Sequence, residues 1–189
     1  VLTFLGALAH ESLPATFVLY APYRYGWDER LVGLTLAAVG VCMGVVPGAL
    51  VGPVVARFGE RASLFLGQAF GAVGFAIYGW AARGSLFWLG IPVMALWGLS
   101  GPAMQGLMSA KVSESEKGQL QGATGSLRGI SGLMGPAIYT SVLAVFISPG
   151  APFVLPGAPF LLSATLLALS VLLALSLLPR TAAKAEPAA

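Results

Sequence analysis

LVGLTLAAVGVCMGVVPGALVGPVVA occupies residues 31–56 and contains no charged side chain. As a helix rising 1.5 Å per residue, this stretch reaches about 39 Å, which exceeds the roughly 30 Å hydrocarbon core of a bilayer. Charged residues follow at once, with Arg57, Glu60 and Arg61. We therefore predict that the stretch crosses a membrane and that the loop after it meets water.

The rest of the chain repeats this pattern, because most charges lie in short clusters between long apolar stretches. Hydrophobic residues make up 57% of the 189 residues and charged residues 9%, against about 25% charged in ordinary soluble domains. The sequence predicts an all-α membrane protein, residues 1–180, with a disordered cytoplasmic tail at 181–189. The six transmembrane helices are expected at about 1–22, 31–55, 62–82, 85–110, 119–147 and 159–179.

The basic residues indicate the orientation of this bundle. Six lie on the side that carries the loops at 56–61 and 111–118 and the tail, against three on the other side. The positive-inside rule then places both ends of the chain in the cytoplasm, with the bundle in the inner (plasma) membrane. These residues are scattered at helix ends, so the lipid bilayer is the expected partner and nucleic acid is not. The start at Val1 is expected of a piece of a longer protein.

Two helices carry glycines at helical spacing. Gly40, Gly44, Gly48 and Gly52 recur every fourth residue, and a second series comprises Gly122, Gly125, Gly129, Gly132 and Gly135. Each series keeps to one side of its helix and allows a neighbouring helix to approach closely. We predict that both faces pack against other helices.

The loop GPVVARFGER at 52–61 is similar to the glycine and arginine motif between the second and third helices of each half of major facilitator superfamily transporters. The resemblance implies a loop that controls conformation, formed by Gly52, Arg57, Gly59 and Arg61. Gly59 permits a tight turn, and the arginines can hold the loop against helix ends. Ala56 stands where the motif usually has an acid.

Three further stretches narrow the resemblance: LYAPYRYGW at 19–27, GIPVMALWGLSGPAMQGLMS at 90–109 and VSESEKGQLQGATGSLRGISGLMGP at 112–136. Together they resemble the carboxy-terminal half of the TCR/Tet group of drug:proton antiporters. The resemblance implies one half of a major facilitator fold, helices seven to twelve, whose partners are the amino-terminal six-helix half and a small amphiphilic substrate such as a tetracycline. It implies no cofactor or metal, with the proton as coupling ion. Gly71 stands near the place of an acid in tetracycline exporters.

Glu11 and Arg128 are the two charges inside apolar segments. A charge at the bilayer centre costs about 2.5–3.5 kcal/mol on insertion scales and usually marks a transport path. We expect Glu11 to bind the coupling proton or a cationic part of the substrate, and Arg128 to attract anionic groups. Both lie at comparable depth, so a structural ion pair between them is the alternative. His10 is a weaker candidate for proton coupling, because it points about 100° away from Glu11 on the helix.

The substrate cavity is expected to use aromatic and polar residues near these charges. Phe17, Tyr20, Trp97 and Gln105 provide such side chains in the first and fourth helices, as a mostly apolar ligand pocket requires. Simple filling of space between helices is the alternative for each ring.

Two other functions fit parts of the sequence. GLSG at 98–101 matches the nucleophile motif of rhomboid intramembrane proteases, in which a histidine acts as base. His10 precedes that serine, however, whereas the rhomboid base follows it, so we expect no enzyme. A non-transporting or self-dimerising scaffold is the other alternative, because glycine faces also suit homodimers.

Overall fold

The computed structural model describes residues 1–151 and 153–177, and every regular element in these ranges is helical. The helices are α1 (Leu2–His10), α2 (Ser12–Tyr25), α3 (Glu29–Trp80), α4 (Gly84–Ala95), α5 (Ser100–Ser109), α6 (Lys117–Ile147) and α7 (Ala158–Leu177). Short 3₁₀ turns at Leu96–Leu99 and Glu114–Glu116 precede α5 and α6. The tail expected at 181–189 lies outside the described residues.

The first crossing is one helix broken at Glu11. Pro14 has no N–H group to donate to the His10 carbonyl, so the backbone loosens one turn before the proline. The crossing ends at Gly26, whose φ of 67° is left-handed and stops α2. The next helix begins at once, because the Asp28 side chain accepts a hydrogen bond of 2.8 Å from the backbone N–H of Leu31.

The 52 residues of α3 form two crossings. A straight helix of this length would reach about 78 Å, more than twice the hydrocarbon thickness of a bilayer. Gly59 divides it, with φ 79° and ψ 164°, a conformation that essentially only glycine adopts. The first arm covers 29–58 and the second arm covers 60–80.

The fourth crossing consists of α4, the 3₁₀ turn at 96–99 and α5. Pro102 cannot donate to the carbonyl of Gly98, which explains why the helix tightens there. Gly98 is also the point at which the first arm of α3 approaches, because a methyl group at Gly98 would overlap the Pro47 ring. The turn therefore lies where two crossings are in close contact.

The last two crossings are α6 and α7. The segment PGAPF occurs twice, at 149–153 and 156–160. The second copy starts α7, and Pro159 lies in the first turn, where no backbone N–H is needed. Gly157 packs directly against the backbone of Gly79. This contact joins the start of α7 to the end of the second arm of α3.

The second arm of α3 is central to the bundle, where it packs against α4, α5 and α7, while α1 packs against α6 and α7. Counted as unbroken helices, five in the described residues are long and apolar enough to cross a membrane. The division at Gly59 makes these five helices six crossings. The predicted all-α membrane bundle is confirmed.

Candidate functional site

A cavity of about 380 Å³ lies in the half of the bundle nearest the chain start. It is formed by α1, both arms of α3, the segment 97–108 and the early part of α6. The lining residues are Leu2, Thr3, Gly6, Ala7, His10, Glu11, Met43, Gln68, Trp97, Ser100, Gly101, Met104, Gln105, Met108, Thr124 and Arg128. Its volume falls in the range of small-molecule pockets, roughly 300–1,000 Å³.

Glu11 lies in this cavity at the break between α1 and α2. Its side chain packs against Gly135 of α6, where a methyl group would overlap the Glu11 Cβ, and Oε1 lies 4.0 Å from the place of a methyl group at Gly132. Two glycines therefore make room for the carboxyl group between the helices. The sequence placed this acid inside the membrane and predicted a packing surface that includes Gly132 and Gly135, but it did not indicate that the acid lies on that surface.

His10 borders the same cavity as Glu11, although the helical rotation of about 100° between them predicted different faces. Glu11 keeps a right-handed helical conformation, with φ −70° and ψ −15°, so the cavity is wide enough to be bordered by both residues. The His10 ring lies against the Trp97 indole, with 5.7 Å between ring centroids. The imidazole thus joins the first crossing to the fourth at the cavity wall.

Arg128 borders the cavity from α6 and is exposed in this chain. Within residues 1–151 and 153–177, no ion pair joins it to Glu11. The structure therefore brings the two charges to one cavity but does not show the structural ion pair considered above. Each charged group can therefore interact with a ligand, with a proton or with another part of the protein.

Two glutamines add polar groups to the cavity wall. Gln105 was expected in the cavity from its sequence position, and its Nε2 donates 3.4 Å to Ser109 Oγ. Gln68 was missed, although a glutamine within an apolar span is a signal in its own right. It lies in the second arm of α3, and its Nε2 donates 3.4 Å to Ser170 Oγ of α7.

Phe17 and Tyr20, which were expected to line the cavity, lie elsewhere and are fully buried. They belong to a group of rings at the opposite end of the bundle, which we call the aromatic cluster: Phe17, Tyr20, Tyr25, Trp27, Tyr78, Phe87 and Phe160. They follow Glu11 by six and nine residues, which is about 9 and 14 Å along the helix axis, so they lie beyond the end of the cavity. Trp97 is the one of the three expected rings that borders the cavity.

The loop expected to control conformation turns at Gly59, as described above. The Arg57 guanidinium lies 5.5 Å from the Phe58 ring centroid, and that of Arg61 lies 5.6 Å from the Phe65 ring centroid. The Glu60 carboxylate packs into the surface of α5 at Gly106, where a methyl group would overlap it. This contact joins the loop to the helix that carries Met104, Gln105 and Met108.

Gly135, at the end of the second predicted glycine face, packs against Glu11, but the first face and the start of the second do not pack within this chain. A methyl group at Gly40, Gly44, Gly48 or Gly52 would meet no other described atom within 4 Å, and the same holds for Gly122, Gly125 and Gly129. On the first arm of α3, the residues that pack on the core are Ala38, Val39, Cys42 and Met43, on the other side of the helix from the glycines. In the described part of the chain, the first face and the part of the second face at 122–129 are therefore uncovered.

Close packing inside the chain depends on another glycine series, at Gly67, Gly71 and Gly74 of the second arm. A methyl group at Gly67 would lie 2.6 Å from the Ser100 nitrogen, and one at Gly74 would lie 2.8 Å from the Met94 Cα. One at Gly71 would lie 2.7 Å from Trp97 Cδ1. Their spacing of four and three residues was a visible signal that sequence reasoning did not use.

Comparison with known proteins agrees with this architecture. The chain is 31% identical over 142 residues to the class C tetracycline resistance protein of Escherichia coli, covering 74% of this chain and 35% of that protein. It is 34% identical over 142 residues to the class G protein of Vibrio anguillarum, with the same coverage. Hippocampus abundant transcript-like protein 1 of Homo sapiens is 26% identical over 139 residues, which are 74% of this chain and 28% of that protein. No family model matches the chain.

The chain belongs to the tetracycline resistance group of the major facilitator superfamily. It spans about a third of the length of these relatives. Members of this superfamily are transporters and not enzymes, so the predicted absence of catalysis is confirmed and the intramembrane protease alternative is excluded. Together with its membrane-length helices, this membership makes the chain a multi-pass membrane protein.

Proposed function

We propose that this chain is the carboxy-terminal half of a proton-coupled exporter of amphiphilic, tetracycline-like drugs that works by alternating access in the inner (plasma) membrane. One observation carries the proposal: a carboxylate, a guanidinium and an imidazole share one ligand-sized cavity inside an apolar helical bundle. Charges inside a membrane bundle are costly, and they usually lie on substrate or ion paths.

The cavity wall suits an amphiphilic ligand. Trp97, Met43, Met104 and Met108 offer an apolar and adaptable surface. The glutamines and the two charged groups offer a few hydrogen bonds and one charge of each sign. A ligand with an apolar body and several polar groups, such as a tetracycline, fits this combination.

Proton coupling is assigned to Glu11. Its carboxylate has no cationic partner among the described residues and is held between helices at a backbone break. Uptake of a proton removes its charge and therefore changes what the cavity binds and how α1 packs on α6. Arg128 and His10 lie on the same wall and set the electrostatic field in which this happens.

The amino-terminal half is proposed to cover the two uncovered glycine faces. A membrane bundle gains little by leaving side-chain-free surfaces against lipid, whereas these surfaces allow close helix contact. One face lies on the first arm of α3 and the other on α6, which also carries Arg128. A partner on both would enclose the cavity.

The same proposal places both ends of the chain in the cytoplasm. The loops at 56–61 and 111–118 and the tail carry six of the ten basic residues. The cavity would then be on the cytoplasmic side of the aromatic cluster. Cytoplasmic access is the state in which an exporter collects its substrate.

The test is export of tetracycline by the full-length transporter in energised membrane vesicles, with and without a protonophore. We expect drug movement against its gradient that stops when the proton gradient collapses. Export that continues unchanged without the proton gradient would contradict antiport. No drug movement at all would contradict the exporter.

A self-dimerising scaffold is the second candidate, because a second copy of this chain could also cover the glycine faces. Cross-linking of cysteines introduced at Gly44 and Gly129 separates the two candidates. In full-length protein, the exporter predicts links from these cysteines to cysteines introduced in the amino-terminal half of the same polypeptide, whereas the scaffold predicts links between identical copies.

A further inference from the structure

Gln68 differs from the other polar residues of the cavity wall in the state of its amide oxygen. The side chain is 5% exposed, and its Oε1 accepts no hydrogen bond from any residue in the described ranges. The nitrogen of the same amide is held by Ser170, which lies outside the cavity wall. The amide nitrogen is therefore hydrogen-bonded, whereas the amide oxygen has no partner among the described residues.

A buried carbonyl group without a partner is unfavourable, and the great majority of buried polar groups in proteins are paired. An apolar residue at position 68 would avoid this cost without disturbing the helix. The glutamine is explained if a donor reaches Oε1 from the cavity. No polar side chain of the described residues occupies that place.

The wall near Gln68 shows what kind of molecule would bring the donor. Gly6 of α1 lies beside the amide nitrogen, because a methyl group at Gly6 would be in ordinary contact with Nε2, at 3.9 Å. Trp97 borders the cavity with a flat ring, and Met43 and Met104 border it with flexible thioethers. Such surfaces accept flat aromatic bodies of varied outline.

We propose that Gln68 determines substrate specificity, and that its Oε1 accepts a hydrogen bond from an N–H or O–H group on a flat aromatic amphiphile. This inference rests on the proposed function as an exporter. It adds a requirement to it: among ligands of similar shape and charge, those with a donor are preferred.

Two dyes test the requirement. Rhodamine 6G carries two secondary aryl amines with N–H groups, whereas tetramethylrhodamine ethyl ester has the same charge and ring system but no N–H or O–H group. We expect the full-length transporter to export rhodamine 6G about tenfold more efficiently, since one hydrogen bond to a buried neutral group separates the two dyes. Gln68→Met, which keeps the side-chain volume, should abolish this preference by lowering rhodamine 6G export alone.

Two further variants make the result specific. Gln68→Glu keeps acceptor oxygens and should retain the preference for rhodamine 6G. Gln119→Met makes the same change at an exposed glutamine outside the cavity and should leave both dyes unaffected. Unchanged export of tetramethylrhodamine ethyl ester by Gln68→Met shows that the variant folds.

Equal export of the two dyes by the parent, or an equal loss of both in Gln68→Met, would overturn the inference. Export of tetracycline but of neither dye would also overturn it, while leaving the proposed function in place. A parent that exports neither tetracycline nor dye would overturn the proposed function itself.

Discussion

The two ends of this bundle are packed in opposite ways. At one end, the rings of the aromatic cluster fill the space between four crossings, with Tyr78 and Phe87 stacked at 4.0 Å between centroids. At the other end, methionines, glycines and small polar residues leave a cavity of about 380 Å³. Large rings therefore close this bundle at one end, and smaller or flexible side chains leave it open at the other.

Hydrogen bonds reinforce the closed end. Tyr20 Oη donates to the Tyr78 carbonyl at 3.2 Å, and Tyr25 Oη donates to the Ala81 carbonyl at 3.0 Å. These bonds join the first crossing to the end of α3. At the cavity end, by contrast, Glu11, Arg128 and the Gln68 oxygen have no such bonds among the described residues. Structural roles are thus concentrated at one end and binding groups at the other.

The largest effect should come from removing the charge at the cavity end. Glu11→Gln keeps the side-chain size but cannot release a proton, so proton-driven tetracycline export should fall to the level of vesicles without transporter. Glu29→Gln, at an exposed position in the first turn of α3, should change export by less than about twofold. Proton-driven uptake of tetracycline into inverted vesicles measures both. Full activity of Glu11→Gln would remove the assignment of function to the cavity end.

The aromatic end should respond in stability instead. Phe87→Ala removes the ring at the centre of the aromatic cluster and should cost about 3–5 kcal/mol of folding free energy, without changing ligand affinity in the protein that remains folded. Leu89→Ala, two residues on and 68% exposed, should cost far less. Thermal unfolding of purified full-length protein, combined with tetracycline binding, makes the comparison. A large loss of affinity in folded Phe87→Ala would show that the two ends do not have separate roles.

Replacing glycine by alanine should have different effects on covered and uncovered helix faces. Gly71→Ala would force a methyl group against the Trp97 and Leu167 side chains, and such overpacking should cost about 1–3 kcal/mol. It should also displace Trp97 and shift the tryptophan fluorescence. Gly44→Ala meets no atom within the chain and should be neutral or slightly stabilising in this half alone. Equal thermal stability of the two variants would contradict the packing described here.

The smallest effect is expected at the contact between the loop and α5. Gly106→Ala should push the Glu60 carboxylate off α5 and loosen the loop, making trypsin cleavage after Arg57 and Arg61 about two- to threefold faster. Gly101→Ala, in the same helix, meets no neighbour and should leave the rate unchanged. Identical digestion of the two variants in detergent would show that Glu60 does not hold the loop.

Much of the fold followed from the sequence, because charges at loop positions and apolar spans of fixed length leave few alternatives. The shared cavity of Glu11 and Arg128 was also accessible, since equal depth in a small bundle brings such residues near one another. The break at Gly59 between two crossings was indicated by its place in a loop motif.

The extent of the cavity along the helices and the neighbour of each helix face did not follow from the sequence. Phe17 and Trp97 have similar chemistry, yet one lies in the closed end and the other borders the cavity. The glycine series posed the same problem, because regular spacing marks a face but not its neighbour. Gln68 could have been found from its polarity alone, whereas its unpaired oxygen depends on the position of Ser170 in a distant helix.

The most direct test of the account is the accessibility of the two ends in the full-length transporter. Gln105→Cys and Phe87→Cys, each in a cysteine-free background that includes Cys42→Ala, are treated with a membrane-impermeant maleimide from the side that carries the 111–118 loop. We expect rapid labelling of Gln105→Cys, slowed by tetracycline, and no labelling of Phe87→Cys. An unreactive Gln105→Cys, or labelling that tetracycline does not change, would contradict the claim that this cavity is the substrate site.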